Sequence, residues 1–137
     1  MPDSDAATVV QRLHQAVEAG RLDEAEELFA PEFVSHNLPP GLPAGRDGVR
    51  AFYAGLRAAF PDLTIELDEL LGAGDRAAAA TTLCGTHTGE LLGIAPSGRR
   101  VAVTGIDMVR VAGGRIVEHR GLTDTVGLLR QIGAEGG

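Results

Sequence analysis

The sequence contains no lysine, no tryptophan and a single cysteine, Cys84. All 12 cationic side chains are arginine, which excludes a Schiff base on a side chain of this protein and a phosphate-binding loop with its lysine. One cysteine excludes a disulfide within the chain and a zinc site built from several cysteines. Aromatic residues make up only 4% of the chain, which argues against platforms that stack nucleic-acid bases.

Positive charge and long apolar runs are also scarce. The 19 acidic residues outnumber the 12 arginines and give a formal net charge of −7, whereas nucleic-acid-binding proteins carry a basic face. No apolar run approaches the roughly 18–20 residues of a membrane span, and residues 1–8 lack the cationic start and apolar centre of a signal peptide. We therefore expect a cytoplasmic protein with no nucleic-acid or membrane partner.

The length and the hydrophobic periodicity predict one α+β domain over residues 1–137. Apolar residues recur at helical spacing in three segments, with a strand-like piece and a Pro/Gly-rich loop between the second and the third, before the period changes to two. The predicted helices are 8–17, 22–29 and 46 or 47 to 60, and a short one over 126–132. The predicted strands begin near 33 and 63 and span 76–87, 99–111 and 115–122. This order predicts helices packed against one face of a curved antiparallel sheet.

The last hairpin has two alternative registers. Its loop holds either two residues, Gly113 and Gly114, or three with Ala112, in which Gly114 forms a left-handed bulge. We favour the three-residue loop because it collects valines on one face that meets the helices: Val101, Val103, Val109, Val111 and Val117. The two-residue loop would instead place residue 107 opposite Arg120.

In the favoured register Asp107 faces His119, and Gly105 faces Gly121. The acid and the histidine then point inward with Cβ atoms about 4.5–5.5 Å apart, beside a hole left by the glycines. A carboxylate can orient one nitrogen of an imidazole and leave the other for a substrate, which makes the two a candidate acid/base pair. The alternative is a polar pair that only bridges two strands, worth about 0.2–1 kcal/mol.

Four further residues are candidates for the cavity wall. His36 and Asn37 lie where the first strand meets the Pro/Gly-rich loop, at the expected mouth, although they could simply anchor that loop. Tyr53 lies on the buried face of the third helix and either points its hydroxyl into the cavity or packs in the core. His87 has the same parity as inward-facing Leu83, and its alternative is a purely structural histidine.

A metal site and a Cys/His nucleophile pair are both disfavoured. Cys84 and His87 lie at opposite parity on the same strand, so their side chains point to opposite faces. His14 is assigned to a surface helix, and no two histidines have a spacing typical of metal ligands. We expect no metal.

Several motifs resemble the SnoaL-like polyketide cyclases. The matching stretches are residues 59–63 (AFPDL), 87–101 (HTGELLGIAPSGRRV), 105–110 (GIDMVR), 114–119 (GRIVEH) and 128–133 (LLRQIG). The resemblance implies a nuclear transport factor 2-like cone, in which a bent antiparallel sheet wraps around helices and encloses a deep pocket. It also implies a homo-oligomer, a dimer or a tetramer, and an aldol ring closure that uses no cofactor.

One position departs from the family. In these cyclases the general acid/base aspartate lies two residues after the histidine of the Glu-His pair, and that position is Gly121 here. The residue opposite it, polar in such cyclases, is Gly105. The family's acid therefore cannot be carried over, and Asp107 and His119 are the remaining candidates for proton transfer.

Three functions remain open at this point. The leading hypothesis is a cofactor-independent acid/base enzyme of cyclase or isomerase type, acting on a small apolar substrate such as a polyketide in natural-product biosynthesis. The second is a ligand-binding or dimerisation module without catalysis. The third is an epoxide-opening enzyme, which needs a second inward-facing acid such as Glu90 or Asp124.

Overall fold

A computed structural model describes residues 5–37 and 41–133 of the chain. The helices are α1 (Asp5–Glu18), α2 (Leu22–Glu27), α3 (Arg46–Ala59) and α4 (Thr125–Gln131). The strands are β1 (Phe29–Ser35), β2 (Thr64–Ala73), β3 (Arg76–Thr86), β4 (Arg100–Ala112) and β5 (Arg115–Thr123). The predicted α+β class is confirmed. None of the described helices has the length and apolarity needed to cross a membrane.

The five strands form one sheet in the order β1-β5-β4-β3-β2. β1 runs parallel to β5 at one edge, and the other neighbours are antiparallel. Bulges in β2 and in the β4–β5 pair bend the sheet, as bulges generally do. The helix α1 packs across the concave face against β2, β3 and β4. The sheet therefore curves around the helices and leaves room for a cavity between them.

The core lies between α1 and the middle of the sheet. The helical stripe predicted from the sequence is buried, as are the inward valines of β4: Val9, Val10, Leu13, Val17, Val101, Val103, Val109 and Val111. A fully buried valine or leucine contributes about 1.5–3 kcal/mol relative to an exposed one, so this stripe holds α1 firmly in the sheet. Ile116 is fully buried, whereas Val117, expected on the same face, is only partly buried.

The second helix is shorter than predicted. It ends at Glu27, and buried Phe29 belongs to β1 rather than to the helix. The Leu28 carbonyl accepts a hydrogen bond of 2.8 Å from the Ile116 N–H, so pairing with β5 begins where helical periodicity would continue. Pro31 is tolerated in β1 because this strand forms the edge of the sheet.

The predicted register of the last hairpin is wrong. Gly113 and Gly114 both have positive φ, 60° and 77°, as in a two-residue type I′ turn. Val111 pairs with Ile116, and a bulge at Val117 then shifts the pairing by one residue. Beyond the bulge Asp107 faces Gly121, Gly105 faces Thr123, and Val109 faces His119. The two-residue alternative without a bulge is therefore also wrong beyond the turn.

Candidate active site

A cavity of about 510 Å³ lies between α1, α3 and the concave face of the sheet. This volume is within the range of about 300–1,000 Å³ usual for small-molecule sites. Most of its wall is apolar, with side chains such as Phe29, Leu56, Phe60, Val101 and Val103. A few polar groups converge on this wall, and His14, Asp107 and His119 are the ionisable ones among them that touch one another.

The Asp107 carboxylate lies between two imidazoles. Nε2 of His119 is 3.1 Å from its Oδ1, and Nε2 of His14 is 3.5 Å from its Oδ2. The side chain of Asp107 is 26% exposed, that of His119 19% and that of His14 9%. An ionised carboxylate only accepts hydrogen bonds, so His119 donates to Asp107 from Nε2, which leaves Nδ1 as the second nitrogen of the ring.

The charge state of Asp107 follows from these contacts. Burial is the largest single influence on the pKa of its carboxyl and raises it, because a charge is poorly solvated inside the cone. The contacts and charges of His119 and His14 together outweigh burial and hold the pKa well below its usual range. Asp107 is therefore ionised at neutral pH, with both oxygens facing an imidazole.

Tyr53 lies on the wall of the same cavity, from α3. Removal from water raises the pKa of its hydroxyl, and the negative charge of Asp107 raises it further. The phenol consequently keeps its proton and can donate a hydrogen bond to a bound molecule. Tyr53 both lines the cavity and packs against the buried core, so it combines features of the two predicted alternatives.

Gly121 makes the contact between Asp107 and His119 possible. A Cβ atom at this position would lie 2.7 Å from Oδ1 of Asp107 and 2.9 Å from Cε1 of His119. The predicted hole between facing glycines is therefore absent, because the carboxylate and the imidazole fill the space beside Gly121. Gly105 also lines the cavity, and a Cβ atom at this position would lie 3.0 Å from Oγ1 of Thr81.

His14 is buried, contrary to the prediction of a surface helix. The residue is 7% exposed and faces Asp107. A signal for this position was present, because His14 follows Val10 by four residues and precedes Val17 by three, and such neighbours share a helix face. No group of three His, Cys, Asp or Glu side chains within the described ranges has the geometry of a metal site.

Of the residues expected at the cavity mouth, Asn37 lines the cavity and His36 does not. The backbone N–H of His36 donates to the carbonyl of His119 at 3.0 Å, which continues the parallel pairing of β1 with β5. Its ring turns away from the cavity, with Nε2 at 2.8 Å from Oε2 of Glu118. The predicted pocket role of His36 is therefore wrong, because an acid on β5 holds the ring elsewhere.

His87 is fully buried but does not line the cavity, contrary to the prediction. The backbone N–H of Ser97 donates to its Nδ1 at 3.1 Å, and the Ser97 hydroxyl oxygen lies 2.9 Å from the same nitrogen. The Phe60 ring, 5.9 Å away between centroids, lies beside it, and Phe60 itself is on the cavity wall. His87 thus anchors the loop between β3 and β4.

A second acid is missing from the cavity wall as far as the described residues show. Asp124 caps α4, its carboxylate accepting a hydrogen bond of 2.9 Å from the Gly127 N–H. Glu90 is exposed on the loop after β3, and neither acid lines the cavity. Epoxide opening by water held between two carboxylates therefore has no support in this part of the chain.

Comparison with known proteins gives consistent matches over nearly the whole chain. A family model described as SnoaL-like polyketide cyclase matches residues 7–132. The chain is 29% identical to nogalonic acid methyl ester cyclase of Streptomyces nogalater, over 86% of this chain and 90% of that protein. It is 31% identical to aklanonic acid methyl ester cyclase DnrD of Streptomyces peucetius, over 91% and 88%. The solved structure of TsrD from Streptomyces laurentii has a TM-score of 0.85 at 32% identity, covering 95% and 96%.

Proposed function

Because this chain belongs to the SnoaL-like polyketide cyclase family, as its motifs predicted, we propose that it closes a ring in a small, largely apolar polyketide. Two curated relatives are cyclases of polyketide-type methyl esters, and the apolar cavity suits a substrate of this kind. The proposed reaction is an intramolecular aldol closure that moves only protons and carbon–carbon bonding electrons, so it needs no cofactor. Its setting in cytoplasmic natural-product biosynthesis is part of the proposal.

The observation that carries the proposal is the place of the Asp107–His119 pair. The family resemblance places the general acid/base aspartate at the position of Gly121, and a Cβ atom there would lie 2.7 Å from Oδ1 of Asp107 and 2.9 Å from Cε1 of His119. Asp107, on β4, and His119, on β5, therefore lie beside the backbone position at which the family's aspartate is expected. This supports Asp107 and His119 as the substitute for the missing aspartate.

In the proposed mechanism His119 is the general base, and Asp107 orients its ring. His119, through Nδ1, removes a proton from the carbon next to a substrate carbonyl, while Asp107 fixes the ring through Nε2 and stabilises the imidazolium. The enolate carbon attacks a second carbonyl carbon of the same molecule, a carbon–carbon bond forms, and the resulting alkoxide takes the proton back from His119. Tyr53, which stays protonated, donates a hydrogen bond to the enolate oxygen.

His14 acts in this proposal through Asp107. Its Nε2 faces Oδ2 at 3.5 Å, which leaves Oδ1 directed at His119. Nδ1 of His14 is buried and has no hydrogen-bond partner among the described residues, and its Nε2 contacts the Asp107 carboxylate. We therefore assign His14 as a positioning residue.

The test is the conversion of nogalonic acid methyl ester and aklanonic acid methyl ester by the wild type and by Asp107→Asn. We expect the wild type to cyclise at least one ester and Asp107→Asn to be slower by about 10²-fold or more, because general acid/base catalysis contributes about 10²–10⁴-fold. Asp75→Asn, an exposed acid in the β2–β3 turn, is the matched control and keeps the wild-type rate. Equal rates for Asp107→Asn and the wild type would remove Asp107 from the mechanism.

The homo-oligomer expected from the family resemblance is also a proposal. The outer face of β4 exposes Ile106 (48%) and Met108 (49%), and Leu122 of β5 pairs beside Ile106. Contiguous exposed apolar side chains on a sheet are a usual feature of subunit interfaces. Sedimentation should show a dimer or tetramer for the wild type and a monomer for the double variant Ile106→Glu/Met108→Glu. A monomeric wild type contradicts the proposal.

A further inference from the structure

The loop between β3 and β4 carries an unusual turn at its tip. Leu91 and Ile94 exchange two backbone hydrogen bonds, of 3.1 and 2.8 Å, around the two-residue turn Leu92–Gly93. Both turn residues have positive φ, 51° for Leu92 and 79° for Gly93. Leu92 is the only described residue other than glycine with positive φ, and leucine is unfavourable there because its Cβ crowds the backbone.

The exposed position of Leu92 is unusual as well as its positive φ. Its side chain is 68% exposed, yet the residue also lines the cavity, so it lies at the mouth. Its neighbour Leu91 is half-buried and packs against the core, which holds the turn in place. Stability therefore gains little from leucine at position 92, where asparagine would suit the left-handed turn and the solvent better.

The loop is fixed at both of its ends. After β3, the N–H groups of Thr88 and Gly89 each donate to the carbonyl of Ala59 at the end of α3, at 3.1 Å. Before β4, the Gly98 N–H donates to the carbonyl of His87 at 2.8 Å, beside the His87–Ser97 side-chain contact. These anchors keep the turn over the cavity mouth, so the exposed leucine has a fixed place relative to a bound molecule.

We propose that Leu92 is a specificity-determining residue, which packs on the apolar part of a substrate that extends through the cavity mouth. Backbone strain with exposed apolar surface, at the entrance of an apolar cavity, is the arrangement expected when a side chain serves binding rather than folding. The inference rests on the proposed function for the chemical class of the ligand. It concerns binding alone and leaves the proton-transfer residues unchanged.

The test compares Leu92→Asn with Leu71→Asn. Leu71 is an equally exposed leucine, at 67%, near the end of β2, and it does not line the cavity. Dissociation constants for nogalonic acid methyl ester and aklanonic acid methyl ester are measured by titration, and melting temperatures are measured without ligand. We expect Leu92→Asn to raise the Tm by about 2–5 °C, because strain is relieved, and to weaken ester binding roughly 3- to 10-fold.

One further variant, together with the possible outcomes, separates the explanations. Leu92→Ala removes the apolar contact without relieving the strain, so it should weaken binding with no gain in Tm, and Leu71→Asn should leave binding unchanged. Unchanged ester binding in Leu92→Asn, whatever its Tm, overturns the inference. A wild type that binds an ester but does not cyclise it overturns only the proposed function, whereas a wild type that binds neither ester overturns both.

Discussion

Two described histidines, His87 and His119, differ in what surrounds the imidazole. His87, just beyond β3, is fully buried, and Ser97 holds its Nδ1 at the base of a loop. His119, on β5, is partly exposed to the cavity and lies 3.1 Å from the Asp107 carboxylate, which a second imidazole contacts from α1. Among the described residues, the His87 ring contacts Ser97 and Phe60, whereas the His119 ring contacts a carboxylate and borders the cavity.

This difference separates a structural histidine from a candidate catalytic one. An imidazole acts as a base only if a substrate can reach one nitrogen and if a neighbouring group stabilises the imidazolium. His119 lines the cavity and contacts a carboxylate, whereas His87 is off the cavity wall and contacts Ser97. Burial and inward parity, which are visible in a sequence, are therefore insufficient, and the deciding features are the carboxylate partner and access to the cavity.

The largest expected effect comes from exchanging each histidine in turn. His119→Gln should lower kcat by about 10²–10³-fold with little loss of stability, since glutamine can still donate a hydrogen bond to Asp107 but cannot take a proton. His87→Leu should leave kcat within about threefold while lowering the free energy of unfolding by about 1–3 kcal/mol, because Ser97 loses its partner. Steady-state kinetics and chemical denaturation of both variants test this, and similar kcat losses would contradict the distinction.

A smaller effect is expected from filling the space beside the pair. Gly121→Ala places a methyl group 2.7 Å from Oδ1 of Asp107, so we expect a kcat loss of about tenfold and a stability loss of about 1–3 kcal/mol. Gly55→Ala in α3 is the matched control, because its Cβ would have no neighbour within 4 Å, and it should stabilise by about 0.5–1 kcal/mol. A Gly121→Ala enzyme with full activity would mean that the Asp107–His119 distance is unimportant.

The role of His14 sharpens the comparison further. His14→Gln retains an N–H group near Oδ2 of Asp107 and should keep kcat within about threefold, whereas His14→Leu removes it and should lower kcat about three- to tenfold. In His14→Leu the pKa of the Asp107 carboxyl should rise, since one of the contacts that lower it is lost. An NMR titration of the Asp107 carboxyl carbon in both proteins checks this, because a purely structural His14 would change stability without moving that pKa.

The smallest effect concerns stability in acid. The contacts with His119 and His14 outweigh burial, so the pKa of Asp107 is lower in the folded chain than the value of about 3.9 in an unfolded one. Its stabilising contribution is therefore complete above about pH 4 and is lost as the pH falls towards the folded pKa. Denaturation of Asp107→Asn should show a shallower fall in unfolding free energy below about pH 5 than the wild type. Parallel curves for the two proteins would contradict the assignment.

Hydrophobic periodicity predicted the helices and strands well, but it could not predict the register of strand pairing. The α2–β1 boundary was wrong because β5 pairs with residues whose local pattern still reads as helix. The bulge at Val117 has no signature in neighbouring residues. Asp107 and His119 nevertheless meet as expected, since the true register differs from the predicted one by two residues, and a shift of two keeps every side chain on its face.

The remaining site residues depended on contacts that a sequence does not encode locally. Asn37 and Tyr53 reach the cavity, whereas Glu118 and Ser97 hold His36 and His87 away from its wall. The burial of His14 could have been predicted from its spacing on α1. Its role, however, depends on the contact with Asp107, which is 93 positions later in the chain. Such partners become visible only when the helix is placed in the cone.

The most direct test of the central claim is an NMR titration of the Asp107 carboxyl carbon. An ionised carboxylate held by His119, with His14 on its other oxygen, predicts that this resonance keeps its ionised position from neutral pH down to acid unfolding. Protonation of Asp107 in the folded protein above about pH 4, its ordinary range, would contradict the account, because the carboxylate would then gain nothing from the two imidazoles.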